Sequence, residues 1–307
     1  MQDALPDALL VDLGGTHCRV GLGTRGRLVP GSVRKHSNAG FDHLETLLAS
    51  YLSVYPAHIT SICAGVAGPV RNGSAQLTNH RWRVDGKALA RSLGADRTLL
   101  INDLQAQACA LDDLSGDAIA PLLSGTPDPT GPRMVMCLGT GCNIAVAHRQ
   151  GDRLFAPPSE SGHTTLPDAL EFRALYDHLR KAHPHLPVEA ALSGAGLSRI
   201  HAVMTGKEQS PEAIIAAAPA DTLGVFARLL GQVAGNLALS HMATGGVFLI
   251  GGLARAIAPH LARLGLRAPF CDHGPYTDLM ARIPLHVITD DTAALLGCAR
   301  YLRQTTR

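Results

Sequence analysis

Apolar and polar positions follow two different periods along this chain, and the changes between them mark out its elements. Leu9 to Val11 form an apolar run that ends in Asp12, Gly14, Gly15 and Thr16. An alternating run that includes Arg19 and Val20 then returns, a pattern that predicts a β-hairpin. Phe41, Leu44, Leu47, Leu48, Tyr51 and Leu52 recur at helical spacing, with Asp42 and Glu45 near the start. Residues 59–70 read as a buried strand running into Gly and Pro, and Asn72-Gly73 is a turn signal between two short extended pieces. Asp85 is placed to cap a helix that Gly94 ends, and residues 98–103 form another apolar strand closing on an acid.

Residues 112–133 are rich in Asp, Gly, Ser, Thr and Pro and read as a surface connection beside a domain boundary. A second unit begins with residues 133–141 and a return strand from Asn143. Helical patterns fill 168–182 and 211–243, and a strand at 245–252 is bounded by glycine pairs. Residues 283–289 give a last strand and 292–304 a final helix. The alternation predicts an α/β protein with functional residues at strand ends. Each lobe carries a glycine-rich strand–turn–strand, at 12–19 and 138–146, which predicts two lobes facing each other across a nucleotide.

Composition narrows the class. The chain has 307 residues, enough for two domains or one large α/β unit, with 46% hydrophobic and 17% charged residues. A net charge of +2 and 4% aromatic content argue against a nucleic-acid or membrane surface. No apolar stretch reaches the ~18–20 residues of a membrane helix, and the N-terminus has no cationic start leading into an apolar core. Seven scattered cysteines without a C-x-x-C pair fit free thiols in a reducing cytoplasm. The 15 histidines show no metal-ligand spacing.

The candidate chemistry lies in the turns. Gly14 and Gly15 are read as adopting φ > 0 and letting backbone approach an anion, with Thr16 adding a hydroxyl. No Lys follows them and no helix begins there, so the segment is neither a P-loop nor a dinucleotide fingerprint. A Gly-Gly pair in a hairpin is equally the content of an ordinary tight turn. Gly139 to Gly141 form a second turn, and the glycine pairs around residues 245–252 leave room for a flat ring. A buried strand with glycine turns has the same pattern. Asp103, at an apolar strand end beside Asn102, is a candidate general base. Asn79, Glu160, His163 and Glu189 offer the carboxylate, amide and imidazole groups that suit a polyol. Singly, each is also an ordinary cap, turn former or surface charge.

Asp12-Leu13-Gly14-Gly15-Thr16, Leu77-Thr78-Asn79-His80, Ile101-Asn102-Asp103, Leu138-Gly139-Thr140-Gly141, Ser159-Glu160-Ser161-Gly162-His163, Leu192-Ser193-Gly194-Ala195-Gly196 and Gly245 through Gly252 occur in that order. Together they resemble the bacterial glucokinase family, ATP-dependent hexokinases of the actin-like ATPase superfamily, from about residue 9 to the end. The resemblance implies a two-lobed actin-like (ribonuclease-H-like) α/β fold with an interlobe cleft. It implies a small domain of 1–104 plus 293–307 and a large domain of 105–292. Asp12 would organise Mg²⁺ through water, Gly14, Gly15 and Thr16 would hold the transferred phosphate, and Gly139, Thr140 and Gly141 would form the second phosphate turn. Gly251 and Gly252 would border the adenosine. Asn79, Asn102, Glu160, His163 and Glu189 would bind glucose or a related hexose, and Asp103 would take the 6-hydroxyl proton. A homodimer is implied as well. His17 and Asn143 depart from the family pattern beside the two turns, and Asn143 is expected to preserve its turn by tolerating the left-handed region. Rival readings are a kinase for another hexose or amino sugar, a sugar-binding regulator without turnover, and a bare ATPase.

Overall fold

The computed structural model describes residues 7–77 and 80–305. Its first strands are β1 (Ala8–Leu13), β2 (His17–Thr24), β3 (Arg27–Leu28) and β4 (Arg34–Ser37). Helix α1 (Leu44–Val54) precedes β5 (Ser61–Val66), β6 (Val70–Arg71), β7 (Ser74–Gln76) and β8 (Arg83–Asp85). Then come α2 (Gly86–Leu93), β9 (Arg97–Asn102), α3 (Asp103–Ala110), β10 (Ile119–Leu123), β11 (Arg133–Leu138), β12 (Cys142–Gln150) and β13 (Arg153–Phe155). Helices α4 (Arg173–Arg180), α5 (Val188–Ala191), α6 (Gly194–Thr205), α7 (Pro211–Ala217) and α8 (Ala220–Ser240) lead to β14 (Gly246–Ile250). The chain ends with α9 (Gly252–Leu261), α10 (Arg267–Cys271), α11 (Thr277–Met280), β15 (Leu285–Ile288) and α12 (Ala293–Thr305).

Two compact units result. The first runs to Ser115, takes in Arg153–Pro158 and resumes at Asp290; the second holds Gly116–Asp152 and Ser159–Thr289. The first therefore extends beyond residue 104, where the sequence reading set its edge. The reason is packing: α3 lies so close to α12 that a Cβ on Gly297 would run into the Ala106 carbonyl. Arg300 on α12 also pairs with Asp112 at 2.6 Å and Asp113 at 3.2 Å.

In the first unit the strand order is β3-β2-β1-β5-β9, with β4 on β2. Strand β1 is paired along both edges, by antiparallel β2 and parallel β5, and helices α1 and α12 cover its two faces, so it reads as an unbroken apolar run. Leu9, Val11 and Leu13 pack with Leu44, Leu47, Leu48 and Tyr51 of α1, whereas Ala8 and Leu10 pack with Leu295, Cys298 and Leu302 of α12. Each fully buried Leu contributes about 1.5–3 kcal/mol. Helix α2 starts as its sequence requires: Asp85 accepts from the Ala88 amide at 2.9 Å, and Gly94 ends it in the left-handed conformation at φ 67°. Asn72 and Gly73, both at positive φ, make the turn between β6 and β7.

The second unit is built on the order β10-β15-β14-β11-β12, with β11, β14 and β15 parallel. Strand β10 occupies part of the stretch read from sequence as a loose connection; it is an edge strand whose register shifts between Pro121 and Leu123. The patterns at 211–243 resolve into α7 and α8, separated by Ala218 at φ 46° and Pro219. Helix α8 has 21 residues and is long and apolar enough to cross a bilayer, contrary to the sequence reading, but 72% of its apolar window is buried against the rest of the protein. Gly231 and Gly235 let α10 approach it, since a Cβ on either would strike the backbone of Leu266 or Phe270.

Candidate active site

Strand register in the first unit brings two candidate groups to one sheet edge. Leu13 pairs with Val66 and Val66 with Asn102, so the Gly14–Thr16 turn and Asp103 leave neighbouring strand ends with only β5 between them. At ~4.8 Å per strand the two strand ends are about 10 Å apart.

The first turn is held from within. Asn38, 1% exposed, donates through Nδ2 to the carbonyls of Gly14 at 2.8 Å and Gly15 at 3.0 Å, and its amide donates to Thr16 at 2.9 Å. Gly14 donates its own amide to His17 at 3.0 Å. Three successive carbonyls are thereby turned to one partner, and the amides of Gly15 and Thr16 have no protein acceptor among the described residues. Paired free amides in a turn form an anion-binding nest. Neither glycine has positive φ, contrary to the sequence reading. At Gly14 the requirement is space, since a Cβ would stand 3.3 Å from the His17 carbonyl. His17 itself opens β2 and is exposed.

Asp12 closes β1. Arg19, its cross-strand partner, donates from Nη1 to Oδ2 at 3.2 Å and reaches Asp291 at 3.7 Å. Burial lifts the Asp12 carboxyl above its ordinary value, Arg19 draws it back down, and Asp291 pushes it up. No group of three or more His, Cys, Asp or Glu gathers as a metal site among the described residues. A lone carboxylate at a strand end fits a magnesium ion that keeps its waters and rides on phosphates; it does not fit a metal caged by protein.

Asn102 caps α3. Its Oδ1 accepts from the Leu104 amide at 3.0 Å, Gln105 Oε1 accepts from the Asn102 amide at 3.0 Å, and Nδ2 donates to the Gly68 carbonyl at 3.3 Å. Asp103 is the first residue of the helix rather than the last of the strand, and its Oδ1 also accepts from Leu104 at 3.0 Å. Asn79 lies outside the described residues.

In the second unit the turn after β11 and the turn after β14 also share an edge, with Cys137 paired to Ile250. Gly139 donates to the Gly141 carbonyl at 3.0 Å and accepts from Gly194 at 2.9 Å, which ties the turn to the start of α6. Glu189 Oε2 accepts from the Cys142 amide at 2.9 Å, and a Cβ on Gly141 would run into that same oxygen. The amides of Thr140 and Gly141 have no protein acceptor among the described residues. Gly251 adopts φ 107°, and a Cβ there would strike the Leu138 carbonyl; Gly252 opens α9 with nothing around it.

Glu160 precedes the short 3₁₀ turn Ser161–His163 and His163 is its last residue, and both are exposed. Asn143 is extended within β12, not left-handed as expected from sequence, and its Nδ2 donates to Ser159 at 2.7 Å and to Glu160 Oε2 at 3.0 Å. Val188 donates to Thr164 at 2.9 Å, which brings the start of α5 beside the same turn. Glu160, His163, Glu189 and the second glycine turn are thus assembled on one framework. Sequence reasoning does not single out Asn38; it places Asn143 beside the second turn and residues 192–196 among the motifs, but gives the contacts of neither. Their signal lies in contacts remote along the chain.

Each unit thus carries at a strand end a glycine turn with two amides unpartnered among the described residues, and the first unit adds a carboxylate beside its turn, the donor set of a phosphate-handling α/β protein. The family model described as Glucokinase matches residues 9–305, and the chain belongs to the glucokinase family. It is 33% identical over 310 residues to a glucokinase of Mesorhizobium japonicum, covering 96% of this chain and 91% of that one. A glucokinase of Psychromonas ingrahamii is 31% identical, with 97% of each chain covered. Among solved structures, a glucokinase from an Antarctic psychrotroph matches with a TM-score of 0.85 at 28% identity, covering 97% of this chain and 98% of that one. A glucokinase of the ROK family from Streptomyces griseus, in complex with glucose and AMPPNP, shares the fold at a TM-score of 0.67 and 19% identity, covering 97% of this chain and 99% of that one.

Proposed function

We propose that this protein transfers the γ-phosphoryl group of ATP to the 6-hydroxyl of glucose, with Asp103 as general base. The observation that carries the reading is the first turn, where Asn38 ties back three carbonyls and leaves two amides for phosphate oxygens. The glucokinases that it resembles over nearly their whole length support glucose as the acceptor.

Asp103 takes the proton of the 6-hydroxyl while that oxygen attacks the γ-phosphorus, and the bond to the bridging oxygen of ADP breaks. Positioning and electrostatics do most of the work in such a transfer. Gly14, Gly15 and Thr16 hold the transferred phosphoryl group, Gly139, Thr140 and Gly141 hold the remaining phosphates, and Gly251 and Gly252 border the adenosine. Asn79, Asn102, Glu160, His163 and Glu189 bind the sugar hydroxyls and orient the 6-hydroxyl. Magnesium, reached from Asp12 through water, would offset phosphate charge. We place the reaction in the cytoplasm, in keeping with seven free cysteines, and expect a homodimer.

A panel of hexoses and amino sugars in a coupled ADP assay tests the reading. Glucose is expected to give the highest kcat/KM. An acetamido sugar turning over while glucose fails would reassign the substrate, and sugar binding without ADP release would make the chain a regulator.

A further inference from the structure

We propose a second anion site in the first unit, remote from the phosphate turn and suited to a small phosphate monoester that modulates ATP use. A cavity of about 670 Å³ opens between the β2–β3 turn and the side of α12, lined by Arg25, Arg27, Leu28, Asp113, Leu296 and Arg303 among others.

Its charge is unbalanced. Asp113, the acid of the lining, is already held by Arg303 at 3.3 Å and Arg300 at 3.2 Å, and Arg300 also pairs with Asp112. Those two acids and two arginines cancel. Arg25 and Arg27 are exposed and have no side-chain partner among the described residues, which leaves two uncompensated guanidinium groups on the cavity. Guanidinium forks match phosphate oxygens bidentately. Leu28, Leu296 and the neighbouring Ala299 form an apolar wall for a short carbon chain.

The turn is an unusual place for an arginine. Thr24 pairs with Arg27, so Arg25 and Gly26 are the two central residues of a tight hairpin, at φ 50° and 69°. Asn, Asp or Gly is favoured at the first of these positions. The turn is also pinned: Arg303 Nη1 donates to the Gly26 carbonyl at 3.0 Å, and a Cβ on Gly26 would crowd Arg303. The backbone of the turn is therefore fixed before any ligand arrives.

The same two elements reach the nucleotide side of the unit. Strand β2 runs from Arg19 to this turn, about 17 Å at ~3.4 Å per residue. The chain from Asp291 through α12 to Arg303 covers about 18 Å at ~1.5 Å per residue. At the far end Arg19 and Asp291 meet beside Asp12. A ligand bridging Arg25 and Arg27 to α12 fixes the spacing of both elements, and through them the Arg19–Asp291 contact.

The test compares the full-length protein with its Arg25→Ala/Arg27→Ala variant, by calorimetric titration with glycerol 3-phosphate and with inorganic phosphate. Neither arginine belongs to the catalytic machinery, so kcat is expected to stay within twofold. The expected result is glycerol 3-phosphate binding at least tenfold weaker in the variant, tighter than inorganic phosphate in the parent, and a shift in the KM for ATP that the variant loses. Equal binding by both proteins overturns the site. Inorganic phosphate binding as tightly as the ester overturns the ligand class, and binding that leaves the KM for ATP unchanged overturns the modulating role.

Discussion

The carboxylate of Glu189 accepts the amide of Cys142 at 2.9 Å, so a residue read from sequence as a sugar ligand also braces the second glycine turn. Oε2 serves the turn, and Oε1 has no protein partner among the described residues. Glu189→Gln keeps an acceptor for Cys142 and is expected to raise the KM for glucose with little change for ATP. Glu189→Ala removes both roles and is expected to raise both constants. Steady-state kinetics for the two substrates check this, and an unchanged KM for ATP in the alanine variant would detach Glu189 from the turn.

Asn38 fixes the first turn from 24 residues away along the chain. Asn38→Ala leaves the Gly14 and Gly15 carbonyls without their donor, which costs about 1–3 kcal/mol. Denaturant unfolding should register that loss. Because the turn itself loosens, the KM for ATP should rise while the KM for glucose changes less.

Burial raises the Asp12 carboxyl, and Arg19 and Asp291 act on it in opposite directions. A raised native pKa means that the proton is held more tightly when folded. The neutral form therefore contributes stability below the unfolded value of 3.8, and that contribution is lost as pH rises through the native value. In the proposed mechanism activity needs the ionised form, and so is expected to fall as pH drops through the same value. Arg19→Met is expected to move the acid limb of the pH–rate profile to higher pH, and Asp291→Asn to lower pH. Asp12→Asn should melt no lower than the parent at pH 7 yet lose at least ~100-fold in turnover. Both limbs moving the same way would contradict this electrostatic arrangement.

Adjacent glycines beside β14 separate folding from binding. Gly251→Ala meets both φ 107° and the Leu138 carbonyl, and is expected to destabilise the protein by about 1–3 kcal/mol or more. Gly252→Ala has open space and should fold normally, with only the KM for ATP rising. Thermal melts with ATP titrations distinguish the two.

Much of this was legible in the sequence because the signals are local. The apolar run of β1, the Asp85 cap with Gly94, and the Asn72-Gly73 turn each lie within a few residues of what they determine. Strand β10 was hidden because an edge strand tolerates Pro121 and needs little apolar content. Helix α6 was hidden behind glycines that look like a loop; a Cβ on Gly196 would run into the Ala191 carbonyl, so close packing with α5 requires a glycine there. Glycine signals permission, not conformation, so the backbone sign at Gly14 and Gly15 does not follow from the sequence. At the candidate site Asn38 and Asn143 act on partners 16 or more residues away, and no local pattern announces that.

The most direct test of the account is glucose-dependent ADP release by the parent and by Asp103→Asn, measured beside glucose binding by calorimetry. Glucose affinity is expected to stay within threefold of the parent, with kcat lower by ~10²–10⁴. Turnover near the parent rate in that variant would contradict Asp103 as the base and, with it, the proposed mechanism.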